Sequence, residues 1–97
     1  MIYQICTDVA MIHPNLMHIS KTIESLGDSY KMCSNIWFLD SDKDVIQEIK
    51  KLNTYLSETD RITVLKISET SKLAGYMPED FWIWFYQKRN KNNETTE

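Results

Sequence analysis

The chain predicts an α+β domain with the element order β-α-β-β-α-β, and three observations carry that prediction. Apolar residues recur at three- and four-residue steps twice, as Leu16/Ile19/Ile23/Leu26 and as Val45/Ile46/Ile49/Leu52/Leu56, drawing one stripe down each of two helices. Four short runs rich in β-branched and aromatic residues alternate with these stripes as strands: residues 1–8, 30–33, 35–39 and 61–67. Between the runs lie turn formers and helix-capping residues rather than further periodic sequence. At 97 residues there is room for one such domain and no second core.

Taken in order, Ile2, Tyr3 and Ile5 suit a half-buried pleat, and that strand ends on the first charge of the chain, Asp8. Pro14-Asn15 leads into the first helix, since proline fits the approach to a first turn. Gly27 follows the apolar stripe where a left-handed C-terminal cap is expected. A tight turn at Ser34-Asn35 joins the second and third strands. Asp40 and Asp42 offer N-cap chemistry for the second helix, which breaks at residues 57–60. Arg-Ile-Thr-Val-Leu-Lys-Ile (61–67) is the clearest strand. This order is the ferredoxin-like double split βαβ, which implies a four-stranded antiparallel sheet with both helices on one face.

The outer strands put apolar residues at both parities, Tyr3 and Ile5 against Ile2 and Cys6, and Ile62 and Val64 against Leu65 and Ile67. A sheet with one face in water alternates cleanly. Its second face is therefore expected to be covered, by the C-terminal segment 76–89 or by a second subunit. That segment opens with Pro, Glu and Asp, closes with Lys and Arg, and holds Phe-Trp-Ile-Trp-Phe-Tyr (81–86) between them. A helix is favoured over a partner-pairing edge strand, and because it is apolar all round, Phe81, Trp82, Trp84 and Phe85 are the expected interface residues. The domain thus spans 1–89, and the polar tail 90–97 is expected to be mobile.

The net charge of −3 disfavours strong nonspecific binding to nucleic acid, and only two of the eleven basic residues are Arg. Cys6 and Cys33 do not form a disulfide framework, and no basic n-region precedes the first strand, so a cytoplasmic protein with reduced thiols is expected. No apolar run is long enough to span a bilayer, so no membrane association is expected. A domain of this length buries only roughly 65% of its unfolded surface, which makes dimerisation a natural source of added stability.

Asp8 is the leading candidate for chemistry. A carboxylate at a strand end can hold a hard divalent cation such as Mg²⁺, or can hydrogen-bond the following loop or helix. One Asp per chain is a sparse ligand set unless a two-fold dimer brings two copies together. His13, in the loop after Asp8, is a candidate general acid or base, or else an exposed loop histidine. His13 and His18 lack the i, i+4 spacing of a shared zinc site, and no Cys-x-x-Cys accompanies them. Asp40, Asp42, Glu79 and Asp80 read as helix-start residues, and the first two are expected far from Asp8 because their strand runs the opposite way.

A strand ending in Asp8, an amphipathic helix closed by Gly27, a hairpin with Ser-Asn-Ile-Trp-Phe-Leu (34–39), a second helix and the 61–67 strand together resemble the small CRISPR-associated adaptation endonuclease family. They are similar also to its virulence-associated protein D-like relatives. The resemblance covers about residues 1–68 and implies a homodimer with each C-terminal segment on the partner's sheet. It further implies a Mg²⁺ site at paired strand-end aspartates, which carries over to Asp8 alone. The chain departs from that family in offering no basic residue between Asp8 and Lys21. Two functions follow. One is a non-catalytic, dimeric protein-binding module of a prokaryotic defence, counter-defence or mobile-element system. The other is a Mg²⁺-dependent endonuclease acting on RNA or DNA through paired Asp8 carboxylates, with Thr7 or His13 assisting. The acidity and the missing basic loop favour the first.

Overall fold

The computed structural model describes residues 1–94, with 92–94 described by backbone alone; the end of the expected tail, 95–97, lies outside the described residues. The chain runs β1 (Ile2–Asp8), α1 (Leu16–Ser25), β2 (Asp28–Cys33), β3 (Ile36–Asp40), α2 (Val45–Lys50, continued as a 3₁₀ turn over Lys51–Tyr55), β4 (Arg61–Ile67) and α3 (Glu79–Glu94). The strands form one antiparallel sheet in the order β2-β3-β1-β4, which is the ferredoxin-like arrangement. β1 is central: Ile5 lies between Trp37 of β3 and Val64 of β4.

Strand alternation divides the sheet into two chemically different faces. On one face Tyr3, Ile5, Trp37 and Leu39 pack against Ile19, Ile23 and Leu26 from α1 and its cap, and against Val45, Ile49 and Leu52. Ile46, read as part of the second stripe, is 44% exposed, because the buried positions step 45, 49, 52 and leave it on the outer side. On the other face Ile2 and Phe38 meet Phe81 and Phe85 of α3. The C-terminal segment is thus a helix, and it covers its own sheet. It also runs on to Glu94, so residues 90–94 extend the helix beyond the expected boundary at 89.

Two caps differ from their expected form. Gly27 has no positive φ, and the helix-ending residue before it, Leu26, is right-handed at φ −78° and ψ −15°. Glycine is required at 27 for room: a Cβ there would lie 2.2 Å from the Asp40 carbonyl oxygen, where the α1–β2 junction crosses the end of β3. Ser41 locks that crossing by donating its buried hydroxyl to the Leu26 carbonyl at 2.6 Å. The N-cap of α2 is Asp44, whose carboxylate accepts from the Gln47 N–H at 3.3 Å, rather than Asp40 or Asp42. Asp40 instead accepts from the N-terminal ammonium at 3.3 Å, an ion pair across the β1–β3 ladder.

Candidate functional site

Asp8 ends β1 in register with Arg61, and its side chain is exposed. No hydrogen bond or ion pair reaches its carboxylate among the described residues. It caps nothing: Asn15, at the start of α1, makes no side-chain cap, and its own N–H turns to His13 instead. Asp40 pairs with Ile2 at the opposite end of β1, so the two carboxylates are kept apart as expected.

Thr7 and Asp8, adjacent in one strand, point to opposite faces of the sheet. Thr7 is buried, and both its N–H (2.8 Å) and its hydroxyl (3.3 Å) donate to the Asn35 carbonyl at the β2–β3 turn. It therefore anchors that turn and has no path to Asp8.

His13 is not an exposed loop residue. Its side chain is only 10% exposed, and both ring nitrogens are engaged. Nδ1 accepts the Asn15 N–H at 3.0 Å, so the proton sits on Nε2 and points to Asp60 Oδ2 at 2.8 Å. The same Asp60 oxygen accepts the Ser57 N–H at 2.8 Å. The Ser57 N–H first, and the His13 imidazole with it, hold the Asp60 carboxyl below the usual carboxylate range. This buttress ties the β1–α1 loop to the approach to β4. Asp60, in what reads as a polar break, carries no motif that would mark it, because its partner lies 47 residues away.

Among the described residues no group of three Cys, His, Asp or Glu side chains is placed to hold a metal ion.

The aromatic segment divides sharply. Phe81 and Phe85, expected at a partner interface, are fully buried against this chain's own sheet. Phe81 meets Phe38 edge-on at 4.8 Å and Tyr30 at 5.2 Å between ring centroids. Trp84 is half-buried and donates Nε1–H to Asp28 at 3.3 Å. Lys88 also pairs with Asp28, and this is the main reason the Asp28 carboxyl titrates below its ordinary range. Tyr30 donates to Asp80 at 3.0 Å, and Arg89 reaches the Ser68 carbonyl at 3.4 Å, so α3 is tied at both flanks.

α3 covers only part of the second face. Beyond it Leu65 is 60% exposed, Met32 is 42% exposed and Tyr76 is entirely exposed. Tyr76 and Met32 line a groove of about 210 Å³ with Gln4, Phe38, Phe81 and the half-buried Trp82. Leu65 stands on the second face of β4 in register with Gln4, and Tyr76 opens the C-terminal segment ahead of its aromatic run. The fold and this surface define a ferredoxin-like α+β domain with an apolar, partly open sheet face. Comparison of the chain with protein-family models, curated proteins and solved structures returns no match. Among the described residues no helix is long and apolar enough to cross a membrane.

Proposed function

We propose that the chain is a non-catalytic module that works as a dimer and binds a protein partner through the open part of its second sheet face. The observation that carries this reading is the groove where exposed Met32 and Tyr76 stand beside Trp82, with exposed Leu65 on the neighbouring groove that shares Gln4, Phe38 and Leu73 with it. Clustered, exposed apolar side chains around a groove mark protein-binding surfaces more than they mark polar substrates. The net charge of −3 favours a protein over a polyphosphate ligand. The setting implied by the family resemblance is a prokaryotic defence, counter-defence or mobile-element system.

The test is affinity capture from the source cells with the wild type and with Met32→Glu plus Tyr76→Ala. A captured protein is then purified and titrated against both. Loss of its binding in the variant supports the reading; equal binding refutes the surface.

A second reading, the Mg²⁺-dependent endonuclease, is favoured by one observation: the Asp8 carboxylate is exposed and has no structural partner among the described residues. Incubating wild type and Asp8→Asn with labelled RNA and DNA in Mg²⁺ decides it. Cleavage that disappears in the variant would replace the binding-module reading.

A further inference from the structure

The sheet has two edges, β2 and β4, and they are built differently. β2 is interrupted by an irregularity between Lys31 and Cys33, and its Asp28 is bonded to α3 through Trp84 and Lys88. A bulge and charged side chains are the usual protection of an exposed edge. β4 carries the charged Arg61 and Lys66 but no irregularity: it pairs with β1 in unbroken register from Arg61 to Ile67. Its outward backbone groups are offered to any further strand, between Ile62 and Val64 on one face and Leu65 and Ile67 on the other.

We propose that the occupant of this edge is β4 of a second copy, joined antiparallel about a two-fold axis at Val64. This rests on the dimeric reading above and specifies its geometry. Val64 is the midpoint of the seven-residue strand, so this register alone pairs every residue of β4. It sets Thr63 opposite Leu65, Ile62 opposite Lys66 and Arg61 opposite Ile67, and no charge meets a like charge. Beside Ile62 on the helix face lies a groove of about 510 Å³ lined also by Ile49 and Leu56, over which the aliphatic stem of the facing Lys66 is laid. The product is an eight-stranded sheet whose two remaining edges are both the protected β2. It also makes the two open half-faces continuous through Leu65 and Thr63, because both residues share a face with Gln4 and Cys6. In this arrangement the two Asp8 carboxylates stand on the order of 25 Å apart, from roughly 3.4 Å per residue and roughly 4.8 Å between strands. They cannot share an ion.

Sedimentation equilibrium on the full chain tests the pairing. The wild type is expected to be a dimer. Thr63→Lys with Leu65→Lys places lysines face to face at two exposed pairs and should halve the mass, with an unchanged circular dichroism spectrum. Thr63→Lys with Leu65→Glu makes both pairs complementary and should restore the dimer. A wild type that stays monomeric up to its solubility overturns this pairing and the dimeric part of the proposed function. A dimer that persists in the double-lysine variant overturns the β4 edge while leaving a dimer through another surface. A monomer that the Lys/Glu variant does not rescue overturns the register.

Discussion

Replacing Gly27 with alanine separates two explanations of the same glycine. Its φ is not positive, so a backbone-freedom argument expects Gly27→Ala to be stabilising through the unfolded state. The close-approach argument expects the reverse. The new Cβ would stand 2.2 Å from the Asp40 carbonyl oxygen, 3.1 Å from its carbon and 3.1 Å from Ser41 Cβ, and two of these three atoms are backbone that no rotamer change can move. Relief requires the α1–β2 junction to part from the end of β3, straining the 2.6 Å Ser41–Leu26 hydrogen bond. Overpacking costs about 1–3 kcal/mol. A weakened buried hydrogen bond adds about 1 kcal/mol, so the sum is about 2–4 kcal/mol. For a domain of this size the corresponding fall in Tm is about 10–25 °C. Gly75→Ala is the control: nothing lies within 4 Å of its Cβ position and its φ is not positive, so it should be neutral or raise Tm slightly. Thermal unfolding followed by circular dichroism reads both. A Gly27→Ala protein as stable as the wild type would refute the steric account.

Other outcomes follow from the same geometry. Phe81→Ala removes a fully buried ring and should cost about 3–5 kcal/mol, whereas Ile83→Ser, at a position 52% exposed, should stay within about 0.5 kcal/mol; chemical denaturation compares them. Similar losses for the two would mean that α3 does not pack on its own sheet as described. Asp60 is held below the usual carboxylate range, so its contribution to stability is present above about pH 4 and is lost as pH falls through the lowered folded value. Tm in Asp60→Asn should therefore fall less steeply than in wild type between about pH 5 and pH 2. Parallel slopes would show that the buttress contributes no pH dependence. Asp8→Asn should leave Tm unchanged, since an exposed residue without partners changes stability by less than about 0.5 kcal/mol, against about 1 kcal/mol for a capping aspartate.

Much of the fold is legible along the chain because its signals are local. The stripes at 16–26 and 45–56 and the two-residue turn at Ser34-Asn35 specify their own elements, and mixed parity in β1 and β4 announces a covered second face. Cap chemistry is less secure, because several acidic residues compete within a few positions. Asp44 caps α2 while Asp40, two residues earlier than Asp42, is taken by the N-terminal ammonium across the sheet. The candidate site is legible only in outline. Asp8 stands where the first strand places it, but the commitment of His13 to Asp60 and of Thr7 to Asn35 depends on residues 47 and 28 positions away.

The sequence by itself determines the α+β class, the order of the first six elements and the aromatic character of the C-terminal segment, since periodicity and propensity act over a few residues; that this segment is a helix on its own sheet is the structure's contribution. Only the tertiary structure decides which aromatic rings are core and which are surface. Phe81 and Phe85 differ from Trp82 and Trp84 in the direction they take around α3, and that direction has meaning only once the helix is laid on Phe38 and Ile2. The same holds for Gly27, whose reason is a carbonyl 13 residues away, and for the bare edge of β4, which becomes an edge only when β1 takes the centre of the sheet.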